Sequence, residues 1–205
     1  MDPTTDQALV EEVLKGRKES YALILDRYKT KVYGLLRSMG ATSVDAQDLA
    51  QETFIKAYCK LPQYQLESSF AAWLYRIAVN TLKDFYRKKI PWPIETKDMI
   101  TKQIEQQQKQ RNEENSPEVQ YLNKEFRQEL RTLLYTLPEQ HRLIIILRYS
   151  NDLSYAEIAS IIGVSERKVT NSIYRAKQKL KKQLRQKGGN SFELLESIAN
   201  GESII

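Results

Sequence analysis

Histidine and cysteine are all but missing from this sequence: His141 and Cys59 are the only ones. A lone cysteine excludes an internal disulfide and fits a reducing compartment. It is expected as a small buried or half-buried residue on a helix. The lone histidine sits beside Pro138, Glu139 and Gln140 with no cluster of metal ligands around it, so no metal site is expected and His141 belongs at a surface or helix end. No glycine-rich phosphate loop is present either, and nothing points to an enzyme or a cofactor. The longest strongly apolar stretch, Leu143 to Leu147, is far too short to span a bilayer. The first residues, MDPTTDQ, are acidic and polar where a secretory signal needs a basic start and an apolar run. The chain is therefore expected in the cytoplasm, with no membrane insertion.

Glycine (7) and proline (6) are scarce among the 205 residues, and aliphatic residues recur at helical spacing, so the expected class is all-α. The length allows one or two domains. A first helix is predicted over Asp6 to Lys15. A second spans Ser20 to Met39, with Leu23, Tyr28, Val32, Leu35, Leu36 and Met39 near one face and Gly40 as its stop. Ser43 is predicted to cap a third helix whose apolar side is Leu49, Phe54, Ala57, Tyr58 and Leu61. The fourth places Phe70, Trp73, Leu74, Ile77, Ala78, Leu82 and Phe85 at steps of three and four. Between Pro91 and Pro117 the composition turns to prolines, mixed charge and a glutamine-rich patch, which reads as a linker. Packing resumes with Val119, Leu122, Phe126, Leu130, Leu133, Leu134 and Leu137, is broken at Leu137-Pro138, and continues through Leu143 to Leu147. The predicted architecture is two helical domains, 6–90 and 118–187, joined by a flexible linker, 91–117, with a Gly-Gly-led tail, 188–205.

The stretch Ser154 to Leu180 reads as a helix-turn-helix. Ala159 is small enough for a close helix crossing, Gly163 can take a left-handed turn conformation, Ser165 can cap the second helix and Val169 anchors it. From Glu166 to Lys187 there are nine Lys/Arg against one Glu. A helix so charged is suited to the DNA major groove, and the net charge of +6 agrees in sign. Over Glu166 to about Lys181 it would be roughly 24 Å long, enough to cross a groove about 12 Å wide. Arg167, Lys168, Thr170 and Asn171 lie in its first half, where base edges come within reach. Arg175, Lys177, Lys179 and Lys182 are placed for phosphates or plain solvation, and Ile173 and Tyr174 partly for packing.

Three segments carry a resemblance. Asp45 to Phe54, DAQDLAQETF, is similar to a D-A-x-D-L-x-Q-E-x-F signature. Phe70 to Lys89, FAAWLYRIAVNTLKDFYRKK, is similar to F-x-x-W-L-x-x-I-A-x-N-x-x-x-D-x-x-R-K. LPEQHRLIIILRY followed by the helix-turn-helix is the third. In this order and with this linker the chain resembles the bacterial RNA polymerase sigma factors of the extracytoplasmic-function group. Its recognition helix departs from the pattern: Arg167 to Ser172, RKVTNS, stands where many members read G-T-V-K-S-R, with Ser172 in place of a frequent arginine.

The resemblance implies a factor that is not an enzyme, lends promoter specificity to core RNA polymerase and helps open promoter DNA. It places the first module on the −10 element and the polymerase clamp, and the last on the −35 element. It also implies an anti-sigma factor as partner. For the clamp the candidates are Asp45, Gln47, Asp48, Gln51 and Glu52, a polar and acidic helix face. For the −10 element they are Tyr64, Arg76, Asn80, Lys83, Arg87 and Lys88; five basic residues against one Asp between Arg76 and Lys89 suit backbone neutralisation. The loop from Gln63 to Ser69, with Asn80 nearby, is a candidate pocket for an unstacked base, and Tyr64 can instead anchor that loop. For the −35 element they are Arg167, Lys168, Thr170, Asn171, Arg175, Lys177 and Lys179. The rival reading, a stand-alone helix-turn-helix transcriptional regulator, leaves the first two segments unexplained.

Overall fold

In a computed structural model of the chain, which describes residues 5–66, 68–89 and 132–187, every regular element is a helix. They are α1 (Asp6–Leu14), α2 (Ser20–Ser38), α3 (Ser43–Lys60), a 3-10 turn (Leu61–Gln63), α4 (Phe70–Lys89), α5 (Glu139–Tyr149), α6 (Tyr155–Ile162) and α7 (Glu166–Lys187), with a helical stretch at 132–135. None is long and apolar enough to cross a membrane. The predicted linker, the apolar run from Val119 to Leu130 and the tail from 188 onward lie outside the described residues.

Local chemistry sets the helix ends. Thr5 accepts a hydrogen bond from the Ala8 amide at 3.2 Å and caps α1. Gly40 takes φ +104 and ends α2 in a conformation that a side chain would oppose. The cap of α3 is Thr42, not Ser43: its hydroxyl accepts from the Asp45 amide at 3.0 Å and donates to the Asp45 carboxylate at 2.7 Å. Ser43 is already helical and bonds Tyr33 instead, at 3.0 Å. Pattern alone could not separate two adjacent hydroxyl residues.

α2 packs on α1, α3 and α4, and α3 packs on α4. Ile24 is fully buried while Leu23 is 56% exposed, so the predicted face of α2 is off by one residue at its start. Tyr58 is 38% exposed, on the rim of α3 and not inside. Cys59 is exposed, against the expectation of burial: it follows Tyr58 on the side of α3 turned away from Ala57 and Leu61, which are buried.

In the C-terminal part α5 is the hub. Leu143, Ile144, Ile145, Ile146 and Leu147 are all buried, because α5 meets α2, α6 and α7 on different sides. A helix apolar all round must be covered all round. α4 has neighbours on two sides as well. Beyond its inward row it buries Ala72, Tyr75 and Val79, and it packs on α6 as well as on α2 and α3. The apolar core consequently runs without a break from α1 to α7.

Candidate nucleic-acid interface

The helix-turn-helix is built as its residues suggest. Ser154 and Glu157 form a reciprocal capping box at the start of α6, with the Glu157 amide donating to Ser154 Oγ at 3.2 Å and the Ser154 amide donating to Glu157 Oε2 at 2.7 Å. Burial pushes the Glu157 carboxyl upward, but hydrogen bonds from the Ser154 and Ser69 hydroxyls and the Ser154 amide outweigh it and lower its pKa. Gly163 closes α6 at φ 72, ψ 42. The amides of Gly163 and Val164 both donate to the Ala159 carbonyl, at 2.9 and 3.1 Å. Ser165 accepts from the Lys168 amide through its carbonyl at 2.9 Å and through its hydroxyl at 3.4 Å.

α7 turns one row inward: Val169, Ser172, Ile173, Ala176, Leu180 and Leu184 are buried. Ser172 thus occupies an interior position, and the missing arginine is not a gap in the exposed face. Arg167, Lys168, Thr170, Asn171 and Arg175 are all exposed, so the front half of the helix offers the side chains nominated for base edges. Two of the nominated lysines are engaged elsewhere. Lys177 lies over the Tyr149 ring, 5.0 Å from its centroid, and Lys179 donates to the Thr136 carbonyl at 2.6 Å. Both brace α7 against the rest of the module. Tyr174, expected to pack, is 65% exposed, one turn beyond Asn171. Its spacing of three from Asn171 and seven from Arg167 is the signal that places it on the outward face.

On α4, Arg76, Asn80, Lys83 and Arg87 follow steps of four, three and four and are exposed in one row, with Lys88 beside them. Arg87 pairs with Asp84 at 3.1 Å, and Arg76 donates to the Ser160 hydroxyl of α6. Tyr64 does not belong to that surface. It is 6% exposed, its hydroxyl donates to the Ser68 carbonyl, and its ring packs on Phe70 and Trp73 at 5.4 and 5.2 Å. Tyr64 is the anchor of the loop. The half-buried Trp73 is the flat wall left beside it.

The nominated clamp residues share one exposed stripe of α3. Gln47, Asp48, Gln51 and Glu52 all face outward, whereas Asp45 is half-buried in the Thr42 cap. Glu52 pairs with Lys56 at 2.7 Å. The stripe continues into apolar residues that sequence reasoning missed: Val44 is 67% and Ile55 65% exposed. Next to it lies an apolar groove of about 590 Å³, with Tyr21, Leu25 and Lys29 of α2 on one wall and Ala50, Gln51, Phe54, Ile55 and Tyr58 of α3 on the other. Tyr21 floors it, donating to the Phe54 carbonyl at 2.6 Å. Apolar groove and acidic stripe together suit a partner helix that is apolar on one side and basic on its flank.

Among the described residues no group of His, Cys, Asp or Glu could hold a metal ion. His141 is half-buried in the first turn of α5. Burial lowers its pKa, and the charges of Arg175 and Lys179 lower it further.

Comparison with known proteins agrees with this arrangement. Residues 24–90 match the family model Sigma-70 region 2, and residues 127–180 match Sigma-70, region 4. The chain is 39% identical over 176 residues to the ECF RNA polymerase sigma-E factor of Escherichia coli strain K12, covering 85% of this chain and 91% of that one. It is 32% identical over 177 residues to the ECF RNA polymerase sigma factor SigW of Bacillus subtilis, covering 86% and 95%. The fold is shared with CnrH, solved with the cytosolic domain of CnrY, at a TM-score of 0.64 and 22% identity over 89% of this chain and 99% of that one. It is also shared with the sigma factor RpoE of Bartonella quintana, solved with the anti-sigma factor NepR, at 0.59 and 20% over 82% and 98%.

Proposed function

The chain belongs to the ECF RNA polymerase sigma factors, and from that premise we propose how its surfaces divide the work of promoter recognition. It is a promoter-recognising sigma factor, an initiation factor that works on DNA in the cell interior. The segment 6–90 serves as the −10 and polymerase-clamp module, 118–187 as the −35 module and 91–117 as the linker.

Arg167, Lys168, Thr170 and Asn171 read base edges of the −35 element, because they stand exposed at the front of α7. Arg or Lys to guanine and Asn to adenine are the geometrically favoured pairings. Tyr174 and Arg175 extend that footprint. Asn80, Lys83, Arg87 and Lys88, with Arg76 in the same exposed row, hold the −10 strand. The loop that Tyr64 anchors, walled by Trp73, receives an unstacked base. Gln47, Asp48, Gln51 and Glu52, together with Ile55 and the α2–α3 groove, form the clamp face. An anti-sigma factor is the expected inhibitor, as RpoE of Bartonella quintana has in NepR.

The observation that carries this reading is the coexistence of three exposed faces of different chemistry on one chain: acidic-apolar on α3, basic on α4, basic and base-reading on α7. A stand-alone helix-turn-helix regulator needs only the last. Run-off transcription with purified chain and core polymerase on a genomic template pool tests it. Specific initiation is expected, and Ile55→Asp is expected to weaken core binding while leaving −35 duplex binding unchanged. No specific initiation with active core would overturn the assignment.

A further inference from the structure

α7 carries an open stripe that runs well beyond its base-reading front. Arg167, Asn171, Tyr174, Gln178 and Lys181 follow steps of four, three, four and three, and all are exposed. Such steps stay on one side of a helix. α7 packs on α5 and α6 through the opposite row, which buries Val169, Ile173, Ala176, Leu180 and Leu184. The charge of the stripe is unbalanced in a way the first module is not. Lys15, Arg17, Lys29, Lys56 and Arg87 each have a carboxylate oxygen within 3.2 Å. Among the described residues, Arg167, Lys168, Arg175, Lys181 and Lys182 have none. In their midst the Tyr174 ring is 65% exposed.

The missing acids come next in the sequence. Residues 188–205, GGNSFELLESIANGESII, lie outside the described residues and contain Glu193, Glu196 and Glu202 with no Lys or Arg. Phe192, Leu195 and Ile198 recur every three residues, and Glu193 and Glu196 each follow one of them. An anionic and apolar segment complements a face that sets an aromatic ring among cations. The other open faces suit it less. The stripe of α3 carries Asp48 and Glu52 and would repel it, and on α4 Arg87 already pairs with Asp84.

Reach and strength both permit the contact. From Lys187 back to Arg167 is about 30 Å at 1.5 Å per residue. The segment 188–205 can span roughly 60 Å when extended, so it is long enough to run back along the whole stripe. Gly188 and Gly189 place no side chain against a sharp reversal after α7. Exposed ion pairs are individually weak and screened by salt. A segment on the same chain, however, acts at an effective concentration on the order of millimolar, so weak contacts suffice to hold it. A DNA duplex, with its far denser charge, can displace it.

We propose that residues 190–205 bind the exposed stripe of α7 in the free chain, with Glu193 and Glu196 on its cations and Phe192 and Leu195 against Tyr174, and that DNA must displace them. The consequence for transcription rests on the −35 reading of α7; the contact itself does not. The full chain is compared with its Phe192→Ser/Leu195→Ser variant, which removes the apolar side of the segment without changing net charge. In amide NMR spectra the signals of Asn171, Tyr174 and Gln178 are expected to shift between the two chains, while those of the core residues Ile24 and Leu36 stay in place. A short random-sequence duplex should bind the variant tighter. If nine-tenths of the free chain is masked, release tightens apparent binding ~10-fold. Coincident α7 signals in the two chains, or equal duplex affinity, would overturn the proposal. A shift that grows with chain concentration would assign the contact to a second copy and overturn it as well. Failure of run-off initiation would instead remove the −35 reading and leave the spectra and the duplex affinities standing.

Discussion

Replacing Gly163 with alanine tests whether the turn between α6 and α7 depends on backbone conformation alone. Gly163 sits at φ 72, ψ 42, and a Cβ there would meet nothing within 4 Å. A clash therefore contributes nothing, and the whole cost is that of an L-residue in the left-handed region, roughly 1–2 kcal/mol. Against it stands the lower unfolded-state entropy of alanine, worth about 0.4–1 kcal/mol. The net expectation is a loss of about 0.5–1 kcal/mol. With a urea slope of roughly 2 kcal/mol per molar the midpoint falls by about 0.3–0.5 M at unchanged slope. Gly163→Asn should lose less, since asparagine enters this region more readily. Urea unfolding followed by circular dichroism reads both, and −35 duplex binding per folded molecule should hold, because the contact residues start four positions later. Wild-type or greater stability in the alanine variant would refute the argument.

Arg167→Ala and Lys168→Ala should narrow the gap between matched and mismatched −35 duplexes by roughly 1–3 kcal/mol each, whereas Lys179→Ala, whose amine is held by Thr136, should leave that gap intact; equal losses on both duplexes from the first pair would mean phosphate contact only. Asn80→Ala is expected to reduce permanganate reactivity of the opened −10 region more than closed-complex binding, and normal opening with weak binding would give Asn80 a backbone role. The pKa of His141 is lowered by burial and by Arg175 and Lys179, so the unfolded chain takes up the proton first. Stability should then fall as pH drops below the ordinary histidine value of about 6.5 and level off once the folded form protonates. In His141→Gln that slope should flatten in pH-dependent thermal unfolding, and an unchanged slope would acquit the histidine.

Helix identity and the three functional segments were legible because they rest on local rules. The left-handed Gly163, the Ser165 cap and the buried Val169 follow from residue chemistry within one turn. The apolar steps of α4 predicted its inward row. What spacing left open lies where a residue's neighbour comes from another element. Tyr64 is an anchor because Phe70 and Trp73 fold back beneath it. Lys177 and Lys179 are bracing residues because Tyr149 and Thr136 stand opposite. Ile55 reads as a core residue on any hydropathy scale, yet the α2–α3 groove leaves it outside.

The sequence by itself determined the helical class, the order of the segments, the basic recognition helix and the acidic stripe of α3, since each depends on spacings of three to seven residues and on charge count. Only the tertiary structure decided that α4 carries a second buried face. Ala72 and Val79 lie outside the inward row that spacing predicts, and α4 packs on α6, some eighty residues away, as well as on α2 and α3. That contact joins what the sequence separates, because apolar surface without a cover nearby is covered by whatever helix the chain can bring to it.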